Sequence, residues 1–226
     1  SSVSGDIWAH GIGVWSSGTG NVTIDSCNLL GSLSTGSENG LNAFGVVASV
    51  SSGNAVITNC QVSGNVYAKN YAYGLYADTD LCGNVIIRDS IVAASMSTSN
   101  SNYIYGVALC DWWINNNDDL SEFTLENTTI RNFADKQKAV RILSAKEDGS
   151  SYVHTGDLKI NLINNKIVSD KPSSIAFSLE NNLEKSELNL NGNVLSLTGS
   201  DSTVLSFATT SCDYTGKIHN NDITLG

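Results

Sequence analysis

Apolar and polar residues alternate along this chain in short runs, and one run keeps returning. An apolar-x-apolar pair, two residues, a small or amide residue, one more residue and a further apolar position recur seven times, at intervals of about thirty residues. The first copies are Val22-x-Ile24-x-x-Cys27-x-Leu29, Ala55-x-Ile57-x-x-Cys60-x-Val62 and Val85-x-Ile87-x-x-Ser90-x-Val92. Phe123-x-Leu125-x-x-Thr128-x-Ile130, Ile160-x-Leu162-x-x-Asn165-x-Ile167, Leu188-x-Leu190-x-x-Asn193-x-Leu195 and Gly216-x-Ile218-x-x-Asn221-x-Ile223 follow. Strand-like alternation at a fixed long period describes a stack of equivalent turns of chain, in which no turn buries its inner face alone.

A second strand precedes each copy. Its inward pairs are expected to be Ile12/Val14, Val46/Ala48, Leu75/Ala77, Val107/Leu109, Ile142/Ser144, Phe177/Leu179 and Leu205/Phe207. A third follows, as in Leu29-x-Gly31-x-Leu33, Val62-x-Gly64-x-Val66 and Val92-x-Ala94-x-Met96. Three short strands per coil, each alternating in and out, predict an all-β tube of about seven coils with parallel pairing between coils. The residues before the small position are Ser26, Asn59, Asp89, Asn127, Asn164, Gly192 and Asn220. Asn, Asp and Gly tolerate left-handed backbone, so this column predicts a tight bend between two strands.

The repeat style, with segments such as Tyr73-Gly74-Leu75-Tyr76-Ala77 and Gly83-Asn84-Val85-Ile86-Ile87-Arg88-Asp89-Ser90, resembles the right-handed parallel β-helix of the pectin-lyase-like superfamily. It is similar to passenger regions of bacterial adhesins and to repeats of large surface proteins of gut bacteria. The resemblance implies one right-handed parallel β-helix domain over residues 1–226, a piece of a longer extracellular or cell-surface bacterial protein. It leaves activity open, because this fold hosts lyases, hydrolases and adhesins alike.

Charge narrows the partners. Twenty-two acids against twelve Lys and Arg give a net charge of −10. That balance argues against nucleic acid, which asks for a basic footprint. Only Lys69 and Arg88 supply positive charge within residues 1–110. No apolar run in this segment is long enough for a membrane-spanning helix. Of the five cysteines, Cys27 and Cys60 share a repeat position and read as thiols in a ladder of small side chains. Cys82, Cys110 and Cys212 lack zinc-ligand spacing.

Candidate chemistry clusters in coils three to five. The insertion Cys110-Asp111-Trp112-Trp113-Ile114-Asn115-Asn116-Asn117-Asp118-Asp119-Leu120 interrupts the repeat, and loops on a rigid scaffold commonly carry function. Trp112 and Trp113 could stack on sugar rings while Asn115, Asn116 and Asn117 bond hydroxyls. Asp78, Asp80, Asp111, Asp118 and Asp119 would stack along one tube edge, where calcium is the cofactor such oxygen ligands suit. A second feature is aromatic: His10, Phe44, Tyr73 and Tyr105 precede the Gly of the first strand, and Trp8, Tyr71 and Tyr103 lie two residues earlier. Equal repeat positions imply stacked rings, serving as packing or as an exposed strip for a glycan. The ladder is expected to end in coil five, where Val140 and Lys138 take its two places.

Catalytic signatures are incomplete. Glycoside hydrolases of the resembling fold carry, in order, Asn-x-Asp, Asp-Asp, Gly-His-Gly and Arg-x-Lys. Here Asp118-Asp119 lies downstream of His10-Gly11, and no Arg-x-Lys follows. His10, His154 and His219 fall in different coils and suggest no triad. The expectation is a non-catalytic surface module displaying loops for adhesion or glycan binding, with a glycan or a host or cell-surface molecule as partner. The alternative is a lyase or hydrolase acting on acidic polysaccharide with the acids of coils three to five.

Overall fold

A computed structural model describes residues 2–5, 8–35, 42–80, 83–99, 104–111, 121–131, 137–144, 154–181, 183–208 and 212–226. Every strand pairing is parallel, and no helix occurs among the described residues. The chain is a parallel β-solenoid with three main sheets of seven strands each. Sheet 1 runs through Trp8–Thr19, Asn42–Ser52, Tyr71–Thr79, Ile104–Asp111, Lys138–Ser144, Ile175–Asn181 and Thr203–Phe207. Sheet 2 comprises Val22–Asp25, Ala55–Thr58, Val85–Arg88, Ser121–Glu126, His154–Ile163, Leu183–Asn191 and Asp213–His219. Sheet 3 contains the short strands from Asn28–Leu29 to Asp222–Leu225. The first and last strands of each sheet have a partner on one side only, so about five turns of the solenoid are enclosed between neighbours.

The core is a set of vertical ladders. Ile24, Ile57, Ile87, Leu125, Leu162, Leu190 and Ile218 are consecutive partners across sheet 2. Leu29, Val62, Val92, Ile130, Ile167, Leu195 and Ile223 do the same across sheet 3. Ile57, Ile87, Leu125 and Leu162 are fully buried, whereas Ile218 is 62% exposed at the open end of the stack. Burial therefore comes from the coil above and the coil below, as a solenoid requires.

The bend between sheets 2 and 3 has the backbone its sequence predicts. Ser26, Asn59, Asp89, Asn127, Asn164, Gly192 and Asn220 all take positive φ, between 49° and 68°. Side chains link neighbouring bends: Asn59 Nδ2 donates at 2.9 Å to Oδ1 of Asp25, the residue before Ser26, and Asn127 Nδ2 to Asp89 Oδ1 at 3.0 Å. Just inside the bend, Asn165, Asn193 and Asn221 form an amide ladder. Each Oδ1 accepts the backbone N–H one coil earlier: Thr128 N to Asn165 at 3.0 Å, Asn165 N to Asn193 at 2.9 Å and Asn193 N to Asn221 at 2.9 Å. Buried amides are thus satisfied without water.

Two strand expectations are corrected. The third strand of the first coils is two strands, because a fourth sheet of Ser2–Gly5, Ser32–Thr35, Asn65–Ala68 and Ser95–Thr98 separates from sheet 3. Gly31 and Gly64 stand at the break, where a Cβ on Gly64 would collide with the Gly31 carbonyl. In coil five the inward pair is Val140/Ile142, not Ile142/Ser144: Val140 pairs with Val107 and Ile142 with Leu109. The same register puts Lys138, not Val140, beside Tyr105.

Candidate functional site

The outer face of sheet 1 carries a second hydrophobic cluster, separate from the tube core. Its origin is a repeated break in alternation. Ala43 and Val46 both belong to the core although three residues apart, while Phe44 between them joins the outer cluster. Gly45, Gly74 and Gly106 absorb the extra residue. A Cβ on Gly74 would lie 2.5 Å from the Gly106 carbonyl oxygen and 2.7 Å from Val92 Cγ1. Past the Gly, alternation resumes with Val46 and Ala48 inward and Val47 outward.

In-register parallel strands then stack the rings. His10 lies 5.1 Å from Phe44 at 9°, Phe44 lies 5.0 Å from Tyr73 at 4°, and Tyr73 lies 5.2 Å from Tyr105 at 16°. These separations fall in the favourable range for offset stacking. Tyr76 packs edge-on against Phe44 and Tyr73, 5.0 Å from each. The second aromatic column does not stack as expected: Asn42 stands between Trp8 and Tyr71 in the register. Trp8 instead contacts His10 and Phe44, and Tyr71 stacks on Tyr73 at 6.1 Å. Tyr103 lies outside the described residues.

One end of the ladder is closed by charge. The Arg141 guanidinium lies 4.8 Å from the Tyr105 ring centre and Lys138 Nζ lies 5.9 Å away. Arg141 Nε donates to Glu180 Oε2 at 2.9 Å, Lys138 Nζ to Glu180 Oε1 at 2.7 Å, and Ser178 Oγ to Glu180 Oε1 at 3.0 Å. Burial alone would raise the Glu180 pKa, but Arg141 and Lys138 outweigh it and hold the carboxyl below its ordinary value. Burial pushes the Tyr105 hydroxyl and the Cys110 thiol upward, so both stay neutral.

The other end opens into a pocket of about 330 Å³ lined by Trp8, His10, Trp15, Asn42, Phe44, Val47, Ser49, Tyr73, Tyr76, Asp78 and Asp80. Trp8 and Trp15 are 53% and 50% exposed. Trp15 meets His10 edge-to-face at 4.6 Å. Ser51 Oγ donates to Asp80 Oδ2 at 3.2 Å. His10 Nδ1 and Asn42 Oδ1 are shielded from solvent and have no protein partner among the described residues. Burial lowers the His10 pKa, keeping its ring neutral at pH 7.

Of the residues expected to act, Asp78 and Asp80 line this pocket. Asp111 is parted from them: it pairs with Thr79 and Ser144 on the rung of the core residue Val50, whereas Asp78 pairs with Ser49 and Cys110. Trp112, Trp113, Asn115, Asn116, Asn117, Asp118 and Asp119 lie outside the described residues. No group of three potential metal-ligating side chains occurs among the described residues. Cys27, Cys60, Cys110 and Cys212 are free thiols, and Cys82 lies outside the described residues. Trp15, Asn42 and Tyr76 join the site without having been singled out in the sequence. Each is an outward position, as the inward pairs Ile12/Val14 and Leu75/Ala77 already imply for Trp15 and Tyr76, but which outward side chains enclose a cavity depends on the packing of neighbouring coils.

The pocket combines flat apolar walls with acceptors in one place. Such a lining suits a small ring-shaped ligand with an apolar face and polar edges. Comparison with models of known protein families, with curated proteins and with solved structures finds no match for this chain. Among the described residues, no helix is long and apolar enough to cross a membrane.

Proposed function

We propose that this chain is a non-catalytic β-helix module that binds carbohydrate through the aromatic pocket on the outer face of sheet 1. The observation that carries this reading is the meeting of two half-exposed tryptophans, a wall of stacked rings and the polar atoms of His10, Asn42, Asp78 and Asp80 in one cavity. Indole and phenyl faces bury the C–H face of a sugar at low entropy cost, and the polar atoms fix its hydroxyls. His10 Nδ1 and Asn42 Oδ1, buried without a protein partner among the described residues, gain by hydrogen bonding to sugar hydroxyls. The volume matches the lower end of small-ligand sites.

The pectin-lyase-like kinship and a place on a bacterial surface belong to the same proposal, supported by the repeat style of the sequence. The test is calorimetric or array-based binding of neutral, amino and acidic oligosaccharides to the wild-type chain and to Trp15→Ala. We expect at least one oligosaccharide to bind, and Trp15→Ala to weaken it by about 1–3 kcal/mol with the fold intact. Binding that survives in both Trp8→Ala and Trp15→Ala would show that carbohydrate, if bound, sits elsewhere.

A further inference from the structure

Resting on the carbohydrate reading above, we propose that the sugar unit seated in this pocket carries a protonated amine: a de-N-acetylated amino sugar, in preference to its N-acetyl or uronic acid counterpart. Three features of the lining point there. The walls are ring faces, from Trp8, Trp15, Phe44, Tyr73 and Tyr76, and an aromatic face is the negative side of its quadrupole. Two carboxylates, Asp78 and Asp80, share the cavity. The lining contains no Lys or Arg, and burial disfavours the charged form of His10.

The far end of the same ladder shows how this surface treats a cation. There the Arg141 guanidinium sits over Tyr105 at 4.8 Å with the Glu180 carboxylate 2.9 Å from its Nε. Ring face, cation and carboxylate form one unit. The pocket end offers ring faces and the Asp80 carboxylate, whose hydrogen bond is to the neutral Ser51 hydroxyl, to a cation brought by the ligand. An ammonium on the sugar completes the same unit, an N-acetyl group removes the charge, and a uronate sets a third carboxylate against Asp78 and Asp80.

The experiment titrates the folded chain with glucosamine trimer, N-acetylglucosamine trimer and galacturonate trimer at pH 6, where a sugar amine is protonated. The expected result is about tenfold tighter binding of the glucosamine trimer than of its N-acetyl form, and weaker binding still of the uronate. Asp80→Asn should reduce that preference to about threefold or less while leaving N-acetyl binding in place, and an unchanged melting temperature shows that the variant folds. Asp78→Asn serves as the second variant. Equal or tighter binding of the N-acetyl trimer, still dependent on Trp15, overturns the amine preference and leaves the carbohydrate reading standing. Absence of binding by all three trimers, followed by binding of a neutral glucose or galactose oligomer, also overturns the preference alone. Absence of binding by every oligosaccharide overturns both.

Discussion

Arg141 lays its guanidinium 4.8 Å from the centre of the Tyr105 ring and donates from Nη1 to the Tyr73 hydroxyl at 3.3 Å. One side chain thereby ends the ring ladder of the first four coils and begins the charged rungs of the next two. Its side chain is 8% exposed and that of its partner Glu180 15%, so this pair is desolvated.

Removing one partner of a desolvated pair costs far more than the pair contributes as a whole. Glu180→Ala should lower unfolding free energy by about 3–5 kcal/mol, measured by denaturant melts. The pH dependence follows from the lowered Glu180 pKa. A carboxyl held below its unfolded value stabilises the fold fully above that unfolded value, 4.5, and the contribution fades as pH falls through the lower folded value. Glu180→Gln should therefore show a shallower loss of stability than wild type below pH 4.5. Parallel pH profiles for the two proteins would contradict it.

Ile87 is fully buried between Ile57 and Leu125 in sheet 2. Ile87→Ala removes burial and leaves a cavity that parallel neighbours cannot fill, costing about 2–5 kcal/mol. Ile218→Ala, at the same repeat position but 62% exposed, should cost well under half of that. Equal losses in chemical denaturation would mean that position in the stack does not govern burial.

Asn59 takes φ 52° at the bend and donates to Asp25. Asn59→Ala places a Cβ residue in left-handed backbone without the amide bond and should cost about 1–2 kcal/mol. Asn59→Gly keeps the backbone preference and loses only the exposed hydrogen bond, so it should lie between Asn59→Ala and wild type. A melting temperature for the Gly variant below that of the Ala variant would refute the backbone argument.

These ladders were legible because each residue of the motif keeps its offset from the bend, and Asn, Asp or Gly marks that bend in six of the seven repeats. The register of sheet 1 in coil five was not legible, for a definite reason. A slip of two residues preserves the period of a strand, so the pattern of apolar residues cannot distinguish Ile142/Ser144 from Val140/Ile142. In the first four coils the marker is the Gly after each aromatic residue, and coil five has Ala139 there. Trp15 and Tyr76 are outward by the alternation around Ile12/Val14 and Leu75/Ala77, but they lie past the Gly, off the ring column, so nothing in the repeat marked them as its neighbours. Half of the pocket was therefore visible as a column of rings, and the half that turns it into a cavity depended on side-chain packing across coils, which no periodicity encodes.

The Gly column itself gives the last expectation. Gly74 sits between Gly45 and Gly106, and any Cβ there must displace the Gly106 carbonyl or Val92, both held by neighbouring coils. Gly74→Ala should then cost about 1–3 kcal/mol through overpacking, despite being the smallest possible enlargement. The change should also reach the site. Tyr73, which precedes Gly74, stacks on Phe44 and lines the pocket, so a shifted strand tilts the ring wall out of parallel. Ala139→Gly is the control: coil five already accommodates a methyl group at that place, its side chain is fully buried in the core, and its neighbour Lys138 is not part of the ring stack. That variant should lose stability by cavity formation and leave the pocket unchanged. Thermal melts and binding measured on both variants separate the two effects. If Gly74→Ala and Ala139→Gly weaken binding alike, the Gly column does not set the geometry of the ring wall.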